Sequence, residues 1–189
     1  MSSQAQLHPI GIEEYLDGEL HSELRHEYVG GQMFAMVGAS LRRTLICGNL
    51  HATLHRHLRG GPCRVVMADM KVRVEQIDAI YYPDIAVTCR TRDEAAYYLR
   101  HPKLIVEVLS SATESVDRRE KLLNYRHLES LEEYVLVDQE RPLAEAYRKS
   151  GEGWSMTRYE GAEPVRLDSV DLDLPLADLY EGVPEQGTP

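Results

Sequence analysis

The sequence predicts a mixed α/β (α+β) fold, and three observations carry that prediction. Apolar residues recur at helical spacing in three separate segments. Between and after those segments lie short runs rich in β-formers, two of which, "KLIVEVLS" and "EEYVLVDQ", are almost continuously apolar, as strands buried on both faces are. The resulting order is helix–hairpin–helix–β–β–β–helix–β–β, which suits layers of helix and sheet around one core. A chain of 189 residues is long enough to build that core as one domain.

Each element has a local justification. Residues 1–10 are polar and expected to be loose; the domain is expected over 11–180, followed by a frayed tail at 181–189, "EGVPEQGTP". "GIEEYLDGELHSELRHEYV" is acidic and helical in pattern, with Ile12, Tyr15, Leu16 and Leu20 on one side. "EYVGGQMFAMVG" reads as a hairpin turning at Gly30-Gly31. "SLRRTLICGNLHATLHRHLRGG" reads as a helix: Ile46, Leu50, Leu54 and Leu58 recur at i+4, Ser40 can cap it, and Gly60-Gly61 ends it. Three strands follow, in "CRVVMADMKVRV", "YYPDIAVTC" and "KLIVEVLS". "ESVDRREKLLNYRHLES" is an amphipathic helix that turns Leu122, Tyr125 and Leu128 inward. After the strand "EEYVLVDQ", "LAEAYRKSGEGWSMTRYE" is an outer hairpin turning at Ser150–Gly153.

Composition excludes several classes. A net charge of −10 disfavours a protein that coats nucleic acid non-specifically, since a negative surface repels phosphate, although local basic grooves remain open to it. Cys47, Cys63 and Cys89 have no CxxC spacing, which argues against a disulfide framework or zinc ribbon and suits a reducing cytosol. The N-terminus lacks a basic start followed by an apolar core, and no apolar run approaches about 18 residues. A cytoplasmic protein without membrane spans is expected.

Two acids stand out because each is a single carboxylate in a mostly apolar strand: Asp84 and Glu107. Burial of such a group is costly unless it is paired, hydrogen-bonded or bound to metal. If residues 84–89 pair antiparallel with roughly 102–107, the start of one strand lies beside the end of the other. Cross-strand Cβ atoms are then about 4.5–5.5 Å apart, close enough for both carboxylates to share a hard ion such as Mg2+ or Mn2+. A hydrolytic site also needs a cation to orient water or to stabilise developing charge. Lys103 shares Glu107's face but lies about 13 Å along the strand. Lys121 is better placed: Asp117, Lys121 and Tyr125 form one i, i+4 row that faces the acids if the helix folds back.

"YYPDIAV", "LIVEVLSSAT", "DRREKLLNY" and "LEEYVLVD", in that order, resemble the Uma-two family of restriction endonucleases, within the PD-(D/E)XK nuclease superfamily. "HEYVGGQMFAMVGAS" and "LICGNL" resemble its N-terminal half, so the similarity spans roughly residues 12–140. The resemblance implies a restriction-endonuclease-like, mixed four-stranded central sheet flanked by helices. It implies Asp84 and Glu107 as metal-binding acids, Glu27 as a third acid of the site, and Lys121 as the catalytic lysine. The superfamily pattern has its lysine at position 109, where this chain has Leu109, and the family often has His near position 43, where this chain has Arg43.

Plainer readings stand beside these. Asp84 follows Pro83 and could cap a turn; Glu107 could pair with an arginine; Lys121 and Glu27 could be solvated surface charges. His51 and His55 are at i, i+4, but with His57 they lack an HExxH or a fourth ligand, so an exposed or interface helix face is the better account. Arg42, Arg43, Arg56, Arg59 and Arg64 could line a phosphate-facing groove or simply a solvated surface.

The leading expectation is a Mg2+- or Mn2+-dependent endonuclease acting on DNA, compatible with a homodimer that cuts both strands. Asp84 and Glu107 would hold the metal, with Glu27 and Lys121 completing the catalytic set. The alternative is a catalytically inactive nuclease fold with a binding or regulatory role, which Leu109, Arg43 and the charge of −10 favour. A small-molecule hydrolase using the same carboxylates has no sequence feature of its own.

Overall fold

The nearly continuous apolar runs lie at the centre of the structure, a computed structural model describing residues 9–36, 38–90, 96–110 and 113–185. In chain order the elements are α1 (Ile12–His21), β1 (His26–Val29), β2 (Gln32–Ala35), α2 (Leu41–Leu58), β3 (Arg64–Met67), β4 (Lys71–Val74), β5 (Ala79–Tyr81), β6 (Ile85–Thr88), β7 (Tyr98–Leu99) and β8 (Leu104–Leu109). A wide i→i+5 turn, Val116–Lys121, runs directly into α3 (Leu122–Tyr125). Then come β9 (Glu133–Asp138), β10 (Leu143–Ser150), β11 (Gly153–Glu160), β12 (Val165–Leu167), β13 (Leu172–Leu174) and α4 (Leu176–Leu179).

The expected four-stranded central sheet is six-stranded, in the order β11-β10-β9-β8-β6-β3. The outer hairpin β10–β11 extends it, because β9 offers an edge with which β10 pairs over five residues. The sheet is mixed: β8 and β9 run parallel, with the Val116–Tyr125 segment in the crossover, and the other pairs are antiparallel. A second sheet has the order β2-β1-β5-β4-β7, and β12 and β13 form a ribbon. The expected strand over 63–74 divides between the two large sheets, because the chain turns at 68–70, where Ala68 has φ +47°.

Side-chain alternation sorts the six-stranded sheet into two faces. Ile85, Val87, Leu104, Val106, Val108, Val135 and Val137 pack with α2 and α4. Ala86, Ile105, Leu109, Tyr134 and Leu136 pack with β4, β5 and α3. Glu107 lies between Ile105 and Leu109 in this alternation, and Asp84 stands two residues before Ala86. Glu107 therefore projects toward the second layer, whereas Asp84, one residue before β6, sits where Arg43 and Cys47 of α2 meet the end of the sheet.

The local signals around this frame hold. Ser40 caps α2 by accepting from the Arg43 amide at 3.1 Å, and Gly60 follows the helix with φ +82°. Gly30 and Gly31 both take positive φ in the β1–β2 turn, and a Cβ on Gly31 would meet the Pro9 Cβ at 2.5 Å. The α1 face differs from expectation. Leu20 is exposed while Glu19 is buried, because Glu19 accepts from the His26 amide at 2.8 Å and the Tyr82 hydroxyl at 2.9 Å.

The expectation of no disulfide framework gives way to one bridge, Cys63–Cys89. Antiparallel pairing of β3 with β6, Arg64 opposite Thr88, brings residues 63 and 89 together from 26 positions apart. Cys47 is free and buried. Residues 1–8 and 186–189 of the expected loose ends lie outside the described residues. Ile10 donates to the Gly31 carbonyl at 3.1 Å, and the Pro184 carbonyl accepts from Arg42.

Candidate active site

The register predicted for the two acidic strands is present. Ile85 pairs with Val106, so the next position brings Asp84 opposite Glu107. The Val108 amide donates to Asp84 Oδ2 at 2.8 Å, and the Asp84 amide reaches Glu107 Oε2 at 3.4 Å. Each acid is thus tied to the other's strand.

Lys121 meets the acids as its helical row predicted. Its Nζ lies 3.2 Å from Glu107 Oε1, 2.8 Å from Glu27 Oε1 and 3.2 Å from Asp117 Oδ1. The wide turn that precedes α3 carries both Asp117 and Lys121, and both side chains are buried. Glu27 comes from β1 in the other sheet and also accepts from the Tyr82 amide at 3.3 Å. Position 109 is filled by a buried leucine packed in the core. The ammonium group reaches the acids from the crossover instead. Glu27, Glu107 and Lys121 are brought together, with Asp84 adjoining them through Glu107.

Two further residues join the expected set. Asp117, which shares the i, i+4 row with Lys121, lies beside it in the cluster. Arg43, read from the sequence as a departure from a family pattern and as one of several basic residues that could line a phosphate-facing groove, pairs with Asp84. Its Nε and Nη2 both donate to the Asp84 carboxylate at 2.9–3.1 Å. Asp84 is therefore neither a simple turn cap nor free. Arg43, Lys121, Glu27 and Asp117 line a cavity of about 300 Å3, whereas Asp84 and Glu107 do not, so the two cations cover the two strand acids from the cavity side.

Burial sets the electrostatics. Glu107 has no solvent exposure, and desolvation pushes its carboxyl well above the usual carboxylate range; Lys121 pulls it back down, while Asp117, Asp84 and Glu27 push it up. Burial likewise works against the Lys121 charge, but Glu107, Glu27 and Asp117 outweigh it and raise the ammonium pKa well above its ordinary value. Arg43 follows the same logic: burial opposes its charge and Asp84 restores it. Tyr125 Oη lies 3.4 Å from Glu107 Oε1, and the Tyr81 ring lies 5.6 Å from Lys121 Nζ.

Four carboxylates (Glu27, Asp84, Glu107, Asp117) face two cations (Arg43, Lys121) in this cluster. Fully ionised, it carries a −2 excess, and both Asp117 oxygens are buried without a hydrogen bond. An all-oxygen donor set with that excess fits a hard divalent cation in charge and chemistry. It is not a ready-made cage: among the described residues no three His, Cys, Asp or Glu side chains are grouped to hold a metal ion. Ligation by Asp84 requires Arg43 to release at least one carboxylate oxygen.

The other basic residues are placed differently. Arg42 binds the Gln139 carbonyl at 2.8–3.0 Å, and Arg118 pairs with Glu114 and Glu145. Arg56 and Arg59 are exposed at the far end of α2, about 20 Å or more from Arg43. His51 and His55 stack at 5.8 Å, and a nitrogen of His57 lies 2.8 Å from the Val170 carbonyl oxygen. Among the described residues no helix is long and apolar enough to cross a membrane.

Comparison with known proteins agrees with this architecture. A crystal structure of a protein from Anabaena variabilis, described as a putative nuclease belonging to DUF820, superposes with a TM-score of 0.77 at 18% identity, covering 92% of this chain and 98% of that one. Two uncharacterised Synechocystis proteins are similar in sequence. Slr1290 is 33% identical over 96% of this chain and 97% of its own length, and sll1609 is 28% identical over 78% and 86%. The model of the Uma2 family, described as "Putative restriction endonuclease", matches residues 12–177. That match takes in both strand acids, the Lys121 crossover and the Glu27 hairpin, and the chain belongs to the Uma2 family.

Proposed function

We propose that this protein is a divalent-metal-dependent endonuclease that hydrolyses phosphodiester bonds in DNA. The observation that carries the reading is the placement of Asp84 and Glu107 on adjacent strands with Lys121 Nζ 3.2 Å from Glu107. Asp84 and Glu107 would hold Mg2+ or Mn2+, and Glu27 would adjust the shell. A bound dication would supply charge neutralisation for the phosphoryl oxygens. Lys121 would shift from bridging three carboxylates to orienting the attacking water or stabilising charge on the phosphate. Arg43 lines the cavity and, if ligation frees it from Asp84, would be available to hold a phosphate oxygen with its planar fork. The nuclease descriptions of the Uma2 family and of the Anabaena variabilis structure support the reaction class. Two copies, each with one site, would allow both strands to be cut.

The test is nicking of supercoiled plasmid with Mg2+ or Mn2+ by wild type, Asp84→Asn and Glu107→Gln, each checked for an unchanged fold by circular dichroism. Metal-dependent nicking lost in both variants supports the reading, and retained activity in either removes that residue from the site.

One observation favours a second reading, a nuclease fold that binds without turnover. Both strand acids already have cationic partners, so the metal-free cluster is self-paired. Saturable metal binding with no cleavage of plasmid or oligonucleotides would select it.

A further inference from the structure

Phe34 is the only phenylalanine in the chain, and half of its surface is exposed. A contiguous apolar surface rimmed by polar groups marks a ligand-binding groove, whereas one exposed apolar residue by itself needs no explanation. Phe34 stands directly across the β1–β2 hairpin from Glu27, so the two side chains leave the same face of the hairpin. Both line the cavity in front of the acids, and Val29, Met36, Tyr81 and Tyr82 continue the wall. One side of the cavity is therefore charged and the other is aromatic and aliphatic. Its volume of about 300 Å3 is at the small end for small-molecule clefts, suited to a single nucleotide unit rather than to stacked base pairs.

In the metal-free protein charge supplies little grip on a polyanion. Arg43 and Lys121, the cavity's basic residues, are both ion-paired to carboxylates, and Glu27 and Asp117 stand beside them. The apolar wall offers a contact that does not depend on charge, to the base of the nucleotide next to the scissile bond. Base–aromatic stacking is sequence-tolerant because every base presents a π-face.

We infer that Phe34 is the stacking platform for an unpaired nucleobase flanking the scissile phosphodiester, so that the site takes single-stranded or locally unpaired DNA in preference to continuous duplex. This rests on the phosphodiesterase reading above and narrows its substrate. A duplex presents its bases already stacked, and extracting one costs a few kcal/mol before Phe34 can replace the lost contact.

The probe is a single-stranded oligonucleotide containing 2-aminopurine, whose fluorescence is quenched on stacking, together with the matched duplex. Binding is measured in EDTA and cleavage in Mn2+, for wild type, Phe34→Ala and Phe34→Trp. Wild type is expected to quench the single strand and to cleave it with higher kcat/KM than the duplex. Phe34→Ala is expected to lose the quenching and to weaken binding roughly 5- to 150-fold, the range of base stacking, mainly through KM. Phe34→Trp is expected to restore both. An unaltered thermal melt in Phe34→Ala separates the effect from misfolding. Equal quenching by wild type and Phe34→Ala, or preference for the duplex, overturns the inference. No cleavage of any substrate removes the phosphodiesterase reading alone, and Phe34-dependent quenching in EDTA then still supports the nucleobase seat; no quenching by wild type overturns it.

Discussion

Replacing Lys121 with Met keeps the volume of the buried stem and removes the charge at the centre of the site. The wild-type ammonium group lies within 2.8–3.2 Å of Glu27, Glu107 and Asp117, and its side chain is only 6% exposed. Removing one partner of a buried ion pair costs about 3–5 kcal/mol, because the other charge is left uncompensated. Here three carboxylates lose a shared partner, and protonation of Glu107 can relieve part of the loss. The cost therefore depends on pH. Glu107's folded pKa is raised, so its contribution to stability is fully present below the unfolded carboxylate value, about 4.3, and is lost as pH rises through the folded pKa. Lys121 is the leading influence holding that pKa down, so the variant's folded pKa moves further up and its deficit grows with pH. At pH 8 in EDTA the variant should be about 3–5 kcal/mol less stable than wild type. In urea, with a slope of about 3 kcal/mol/M, the midpoint falls by about 1–1.7 M. At pH 5 the shift should be smaller. A midpoint unchanged at pH 8, or a deficit larger at pH 5, would refute the reasoning.

Other consequences are separate. Arg43→Ala removes the guanidinium from both Asp84 oxygens and leaves Oδ2 only the Val108 amide; charge-assisted hydrogen bonds are worth about 1.5–3 kcal/mol, so Mn2+ should bind roughly 10- to 100-fold tighter by calorimetry. Weaker or unchanged binding would mean that Arg43 does not compete with the metal. Loss of the Cys63–Cys89 bridge, by Cys63→Ser or by reduction, releases a loop spanning 26 positions and should cost about 3–4 kcal/mol in the chain-entropy model. Identical urea midpoints for oxidised and reduced wild type would count against the bridge as a stabilising link.

Much of the frame was legible because it is written in local patterns. Ser40 and Gly60 bound α2, Gly30-Gly31 turns the hairpin, and the two acid-bearing strands, once taken as an antiparallel pair across their short connection, bring Asp84 opposite Glu107. Lys121 was legible because Asp117, Lys121 and Tyr125 keep helical spacing even through a widened turn. What was hidden depends on contacts across long sequence gaps. Arg43 and Asp84 are 41 residues apart, and nothing local marks a helix arginine as the partner of a strand acid. The Cys63–Cys89 bridge required knowing that β3 pairs with β6 and not with β8. Glu19 displaced Leu20 from the core side of α1 because Tyr82, 63 residues away, supplies its hydroxyl. The six-stranded width was hidden for the same reason: an outer hairpin and a sheet extension have identical alternation until the partner edge is known.

The most direct test of the central claim, that Asp84 and Glu107 form one metal site, is calorimetric titration of Mn2+ into metal-free wild type and Glu107→Gln. The account predicts one saturable site in wild type, lost or weakened at least tenfold, about 1.4 kcal/mol, in the variant. No saturable binding to wild type, or equal binding to both proteins, would contradict it.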